Sequence, residues 1–443
     1  MNKLTRGAVV ALCLGGFCAQ NVHAMDLTLD DAVERIMAES EDLKKADINI
    51  KKAQAQLKSV NANRWFHIDG TATYMNLVNI ENPSKANGIT IPSTIGAMIG
   101  QSLLDHDIFL EIPDNILSLG VSVTQPIYTF GKIGNAVKSV KSAIEMTQAS
   151  RDLTGREVKY SAINLYWTAK MTDEIVDIAR RDLDAAKTAR RSLTSAGRAN
   201  RSNLVKIESD IASKEINLSN AKFNRDTAHR MLKIMAGIDV DEKLNLTDTM
   251  PKSFGKLNAG ALKNNPEWDI LNRQVDMYES KARASRAEYL PTLAATASYS
   301  FMAMGNEYDT MFERSGNQSA YWGLALQMPL FSGGAIRANA TMDAMDAAAA
   351  RQDLDKSKKL KTEEYNTAVE KYDHLRGNLA TMQEARDLAA KAYKFSQERF
   401  AAGQTSAIEL AEVSAGLYQL DMALLNAKYE LLMSAAAVKK LGE

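Results

Sequence analysis

The chain has 443 residues, with 54 basic and 54 acidic side chains. Balanced charge excludes a nucleic-acid surface, which needs clustered excess positive charge. No stretch beyond the N-terminus is long and apolar enough for a transmembrane helix, so any passage through a membrane must be a closed β-barrel.

In chain order, Met1 to Ala24 comes first. Lys3 and Arg6, an apolar run from Ala8 to Ala19 and the small residues of Val22-His23-Ala24 read as a secretory signal peptide cut after Ala24. Both cysteines, Cys13 and Cys18, lie inside it. The secreted chain is therefore expected to carry no disulfide, thiol nucleophile or thiolate metal site. Gly15-Gly16-Phe17 before Cys18 disfavours a lipid anchor there.

The eight prolines leave two long gaps, 127–250 and everything after Pro329. Both gaps are rich in Ala, Leu, Lys and Glu, which favours long helices. Leu204, Ile207, Ile211, Leu218, Ala221, Ala228, Leu232 and Met235 follow heptad steps of three and four. Only Lys214 and Arg225 break that row. Leu410, Val413, Leu417, Leu420, Leu424, Ala427 and Leu431 form a second seam.

An offset of 206 residues carries Leu204 onto Leu410 and Gly197 onto Gly403. At an offset of 203, Gln125-Pro126-Ile127-Tyr128 matches Met328-Pro329-Leu330-Phe331, and at an offset of 225, Tyr74 matches Tyr299. The chain therefore reads as a tandem repeat, residues 25–250 and 251–443. Each repeat orders a capped helix (at Ser40, or Asn265 with Pro266), two strands, a long helix, a Gly turn and a second helix. The long helices are expected near 133–196 and 335–401, each about 95–100 Å at 1.5 Å per residue.

Period-two runs place strands near 65–76, 115–128, 291–303 and 319–331. Leu117, Leu119, Val121 and Val123 alternate with Ser118, Gly120, Ser122 and Thr124, and Leu293 to Phe301 and Trp322 to Met328 likewise alternate with smaller neighbours. Alternation alone fits a half-buried soluble sheet as well as a membrane barrel. Four strands cannot close a barrel, and an open edge cannot sit in lipid. If the strands enter a membrane, several chains must share one barrel.

This layout resembles the TolC-like outer-membrane efflux proteins. The resemblance rests on both strand ends above with Ser332-Gly333-Gly334, on Asn265-Pro266-Glu267, and on Ala402-Gly403-Gln404-Thr405-Ser406. It implies a mainly α chain, giving four strands to a shared trimeric outer-membrane β-barrel and long helices to a periplasmic α-barrel. It also implies a homotrimer embedded in outer-membrane lipid, working with a periplasmic adaptor protein and an inner-membrane transporter as the exit duct of an efflux or type I secretion system.

Expected site residues follow from the same resemblance. Glu409, Glu412, Phe400, Thr405, Ser202 and Asn203 match the periplasmic gate and pore ring. Gly197, Arg198, Gly403 and Gln404 match the tip turns that dock the adaptor. Phe400, Thr405 and Asn203 stand where relatives carry tyrosine, arginine and aspartate, so the latch of relatives is built differently here. Two readings of Glu409 and Glu412 stay open: a ring of carboxylates selecting cations, or acids stabilising a first helical turn. Arg190, Arg191, Arg198 and Arg201 read as a solvated helix end or as contacts for acidic groups on an adaptor.

An enzyme is the first rival. His67, His106, His229 and His374 show no metal-ligand spacing, and Gly131-Lys132-Ile133-Gly134 lacks the phosphate-loop pattern. No catalytic residue, cofactor or metal is expected. A soluble periplasmic coiled-coil or adaptor-type protein is the second rival. It accounts for the heptads but not for four strand segments at equivalent points of a repeat.

Overall fold

A computed structural model describes residues 25–76, 115–195, 201–257, 260, 262–263, 265–305 and 317–442. The expected signal peptide and most of the apolar 75–116 segment lie outside these residues.

The elements are β1 (Met25–Leu27), α1 (Leu29–Glu39), α2 (Glu41–Ala62), β2 (His67–Asn76), β3 (Asn115–Tyr128), α3 (Lys132–Ser195) and α4 (Arg201–Met235), then β4 (Leu244–Leu246), α5 (Pro266–Arg286), β5 (Thr292–Gly305), β6 (Asn317–Gln327), α6 (Ala335–Ala402) and α7 (Ala407–Gly442). Helices α3 and α6 have 64 and 68 residues. The fourth strand ends at Gln327, short of the expected 331. Pro329 has no N–H for a ladder, and Gly333 and Gly334 turn the chain at φ 62° and 85°.

Contacts divide the chain into two compact units, and each repeat contributes to both. Of the described residues, the first gathers those within Met1–Asp47, Ser150–Pro266 and Ser357–Glu443; the second gathers those within Ile48–Ala149 and Glu267–Lys356.

In the first unit the heptad seams face inward. On α4, Ile207, Ala221 and Leu232 are buried; on α7, Leu410, Leu424 and Leu431 are. Of the two polar breaks, Arg225 stays near the surface beside Asp226, whereas Lys214 is buried. One core joins Ala162, Tyr166 and Trp167 to Leu232, Ile238, Leu425 and Met433. Over it, β1 and β4 form a two-stranded parallel sheet. The Tyr166 hydroxyl donates to Asp248 at 2.7 Å, and Leu29 N donates to the same carboxylate at 2.7 Å. Burial first, then this bond to Asp248, pushes the Tyr166 phenol well above its ordinary range.

In the second unit β2, β3, β5 and β6 form one antiparallel sheet in that order. Directly paired residues share a face, so the register decides what each face presents. Ile68 pairs with Val123, Val121 with Tyr299, Leu119 with Phe301, Ala297 with Trp322 and Ala295 with Leu324. One face is thus apolar across all four strands. The other carries Asp69, Thr71, Ser118, Ser122, Ser298, Ser300 and Ser319, with a 2.7 Å bond between Ser300 and Ser319. The register shifts between Pro126 and Tyr128, where proline interrupts the ladder. Helix α5 is held to α6 by Lys281–Asp343 at 2.8 Å and by Arg351–Glu279.

Candidate functional site at the helical tips

The turn between α6 and α7 follows from its sequence. Gly403 adopts φ 79°, the left-handed region that glycine enters freely. Its N–H donates to Phe400 O at 3.0 Å, and Gln404 N donates to Arg399 O at 2.8 Å, the paired bonds of a Schellman ending. Ser406 then opens α7: its Oγ accepts from Glu409 N at 3.1 Å. Ser406-Ala407-Ile408-Glu409 has the spacing of a capping box. Gly403→Ala is expected to cost about 1–2 kcal/mol locally, because a Cβ strains this conformation. Faster amide exchange confined to 399–410 is the measurement that checks it.

The expected site residues fall into distinct places. Glu409 is half exposed, and its carboxylate lies 3.7 Å from Arg399, itself exposed. At that exposure the pair contributes at most about 1 kcal/mol. The position serves the first-turn dipole and leaves the carboxylate in water, so both readings of Glu409 remain geometrically satisfied. Glu412 is exposed and lines a cavity of about 390 Å³ with Lys206, Asp210 and Ser414. Gln404 is exposed; Thr405 is partly buried. Ser202 is exposed and Asn203 half-buried in the first turn of α4. Gly197 and Arg198 lie outside the described residues.

Phe400, expected at the gate and pore ring, lies inside the tip. It is 7% exposed and packs with Ala189, Leu193, Ile207, Ala407 and Leu410. Its ring holds the four helix ends of the tip together rather than standing free. Of the arginine cluster, Arg190 pairs with Glu208 at 3.2 Å with both side chains more than half exposed. Arg191 donates to Thr188 Oγ1 at 3.1 Å. These contacts fit a solvated helix end.

Sequence reasoning missed a buried ionic cluster. The Lys214 ammonium lies 2.7 Å from both oxygens of Asp182 and 3.8 Å from Asp210. Ser414 Oγ donates to Asp182 at 2.9 Å. The lysine and aspartate side chains are 6% and 12% exposed. The signal was present as the charged break in an otherwise apolar seam. Its partners were not findable, since Asp182 and Ser414 come from other helices.

Among the described residues, no group of three or more His, Cys, Asp or Glu side chains is placed to hold a metal ion. No described helix is long and apolar enough to cross a membrane.

Comparison with known proteins bears on this arrangement. Residues 259–442 match the family model described as outer membrane efflux protein. The alkaline protease secretion protein AprF of Pseudomonas aeruginosa is 23% identical over 334 residues, 72% of this chain and 68% of that one. The crystal structure of the Campylobacter jejuni CmeC outer membrane channel superposes with a TM-score of 0.76 at 18% identity, covering 93% of this chain and 85% of that chain. The outer membrane protein VceC of Vibrio cholerae gives 0.72 at 17% identity, over 94% and 96%. Residues 259–442 thus match the outer membrane efflux protein family, and the chain as a whole has the fold of these outer-membrane channels.

Proposed function

We propose that the protein is the exit duct of a tripartite efflux or type I secretion system, a passive conduit. The single observation that carries this is the sheet. It presents one continuous apolar face, with Trp322 86%, Leu324 69% and Leu326 68% exposed. Among the described residues, its outer strands β2 and β6 each pair on one side only. Water penalises both features, and lipid with neighbouring copies of the chain satisfies both. Three copies would supply twelve strands, an even number within the range of outer-membrane barrels. A soluble coiled-coil protein has no use for such a face.

In this reading the chain sits in the outer membrane as a homotrimer, with its helices in the periplasm. The tips are the gate and meet an adaptor protein and an inner-membrane transporter, which supplies the energy. Gly403 and Gln404, with Gly197 and Arg198, form the docking turns. Glu409 and Glu412, repeated by symmetry, form carboxylate rings at the entrance.

Reconstituted in a planar bilayer, the protein is expected to conduct with cation preference. Glu409→Gln with Glu412→Gln should lower the cation-to-anion permeability ratio several-fold, since each change removes three carboxylates from a narrow entrance. Unchanged selectivity removes these residues from the passage, and a complete absence of conductance contradicts the duct.

A further inference from the structure

The helical unit holds a second cavity, built where α3 meets α7. On α3, Arg156, Lys159, Tyr160, Ile163 and Trp167 follow steps of three and four, so they share one helix face. On α7, Leu432, Ala435, Ala436, Lys439 and Lys440 do the same. With Leu29 and Asp30 from the start of α1, these faces enclose about 590 Å³. The short side chains of Ala435 and Ala436 leave that space open. Sites for small molecules span about 300–1,000 Å³.

The lining has an apolar part and a charged part. Ile163, Leu432 and Trp167 supply the first, and Trp167 is fixed edge-on against Tyr166. The second sets four cations, Arg156, Lys159, Lys439 and Lys440, against one carboxylate, Asp30. Lys440 lies 3.7 Å from Glu157 and 5.4 Å over the Tyr160 ring. Lys159 and Lys439, both exposed, make no hydrogen bond or ion pair among the described residues. Lys439 and Lys440 also suit the last-turn dipole of α7, but Arg156 and Lys159 lie in the interior of α3, where that reason does not apply.

Arg156 is the most telling of the four. Its Nη1 is buried and has no hydrogen-bond partner among the described residues. A buried guanidinium N–H is costly to leave unmade, and its planar fork matches an oxyanion. Asp30 shares the cavity without reaching that atom. Apolar walls beside the arginine disfavour a phosphate dianion, which has more charge to desolvate, and favour a singly charged head on an apolar body.

We propose that this cavity binds a small amphipathic carboxylate, an acid whose apolar body has one or two rings. Arg156 takes the carboxylate in a charge-assisted pair, and Lys159 and Lys439 at the mouth draw it in. The body packs against Tyr160 and Trp167 of α3 and Leu432 and Ala435 of α7. A ligand so placed touches both repeats, since α3 belongs to the first and α7 to the second. The site does not depend on the exit-duct reading.

The test is isothermal titration calorimetry of the detergent-extracted oligomer at low ionic strength, with the detergent blank subtracted. Three probes are used: 2-naphthoate, 2-naphthalenemethanol (the same body without charge) and acetate (the head without the body). 2-Naphthoate should saturate at one site per chain, and the other two should bind at least about tenfold more weakly. Arg156→Gln should weaken 2-naphthoate at least about tenfold, and Lys159→Gln about two- to fivefold, the second effect fading in salt. Arg225→Gln, at a surface arginine beside Asp226 in the same unit, should change nothing. If Arg156→Gln does not assemble, Lys159→Gln and the two partial probes decide the matter. Equal binding of acid and alcohol, or undiminished binding by Arg156→Gln, overturns the site. Absence of saturable binding overturns it as well; if Arg156→Gln then also loses the oligomer, a carboxylate of a neighbouring copy is the occupant instead. Conductance takes no part in these outcomes, so the exit-duct reading is tested separately.

Discussion

Leu324→Arg is expected to abolish stable assembly in the outer membrane. Leu324 is 69% exposed on the apolar face of β6, opposite Ala295 and two residues from Trp322. An arginine on the lipid face of a barrel costs about 2–4 kcal/mol near the bilayer midplane. A trimer carries three such residues, so the cost is paid three times. Ser122→Lys, on the opposite face, is the matched control. It should assemble normally and alter conductance only. The comparison is read as the yield of oligomer extracted from outer membranes. Equal yields from both variants contradict a lipid-facing sheet.

Leu431→Ala is expected to destabilise the helical unit by about 2–5 kcal/mol. Leu431 is fully buried in a cluster with Tyr372 and Leu379 of α6 and Leu424 of α7. Truncation leaves a cavity between two long helices whose backbones cannot close on it independently. The Tyr372 hydroxyl, which donates to Gly255 O at 2.7 Å, fixes the far wall. Urea unfolding followed by helical circular dichroism checks the value. Leu388→Ala, at a residue 58% exposed on α6, should cost well under 1 kcal/mol within the same unit.

The two effects come from the two patterns most legible in the sequence. The heptad seams mark Leu410, Leu424 and Leu431 as interior, and the structure buries all three. Period-two alternation marks one apolar face per strand. The register that aligns four such faces depends on pairing between distant segments, which alternation in a single strand does not encode. Helix α1 and the β1–β4 pair escaped notice for a physical reason. Their strands have three residues each and pair in parallel across more than two hundred positions, so they leave no periodic trace. Their stability comes from tertiary contacts, through Leu27, Leu246 and the Asp248–Tyr166 bond.

The tip shows the same division. Gly403 and Ser406 are readable because each turn demands a particular residue type. Phe400 is named by resemblance alone; that its ring packs beside Ile207, Ala407 and Leu410 follows from the meeting of distant helices, which no local pattern encodes. Lys214 stood out as a break in the seam, but only the packing of three helices reveals that Asp182 and Ser414 meet it.

The central claim is that several copies of this chain share one barrel. The most direct test is the protein mass of the complex extracted in detergent from the outer-membrane fraction, by light scattering with the detergent contribution subtracted. Three chains per complex, about 138 kDa once the expected leader of about 2.5 kDa is removed from each 48.6 kDa sequence, is the predicted result. A soluble monomer contradicts it, because four strands with two open edges cannot span a membrane alone.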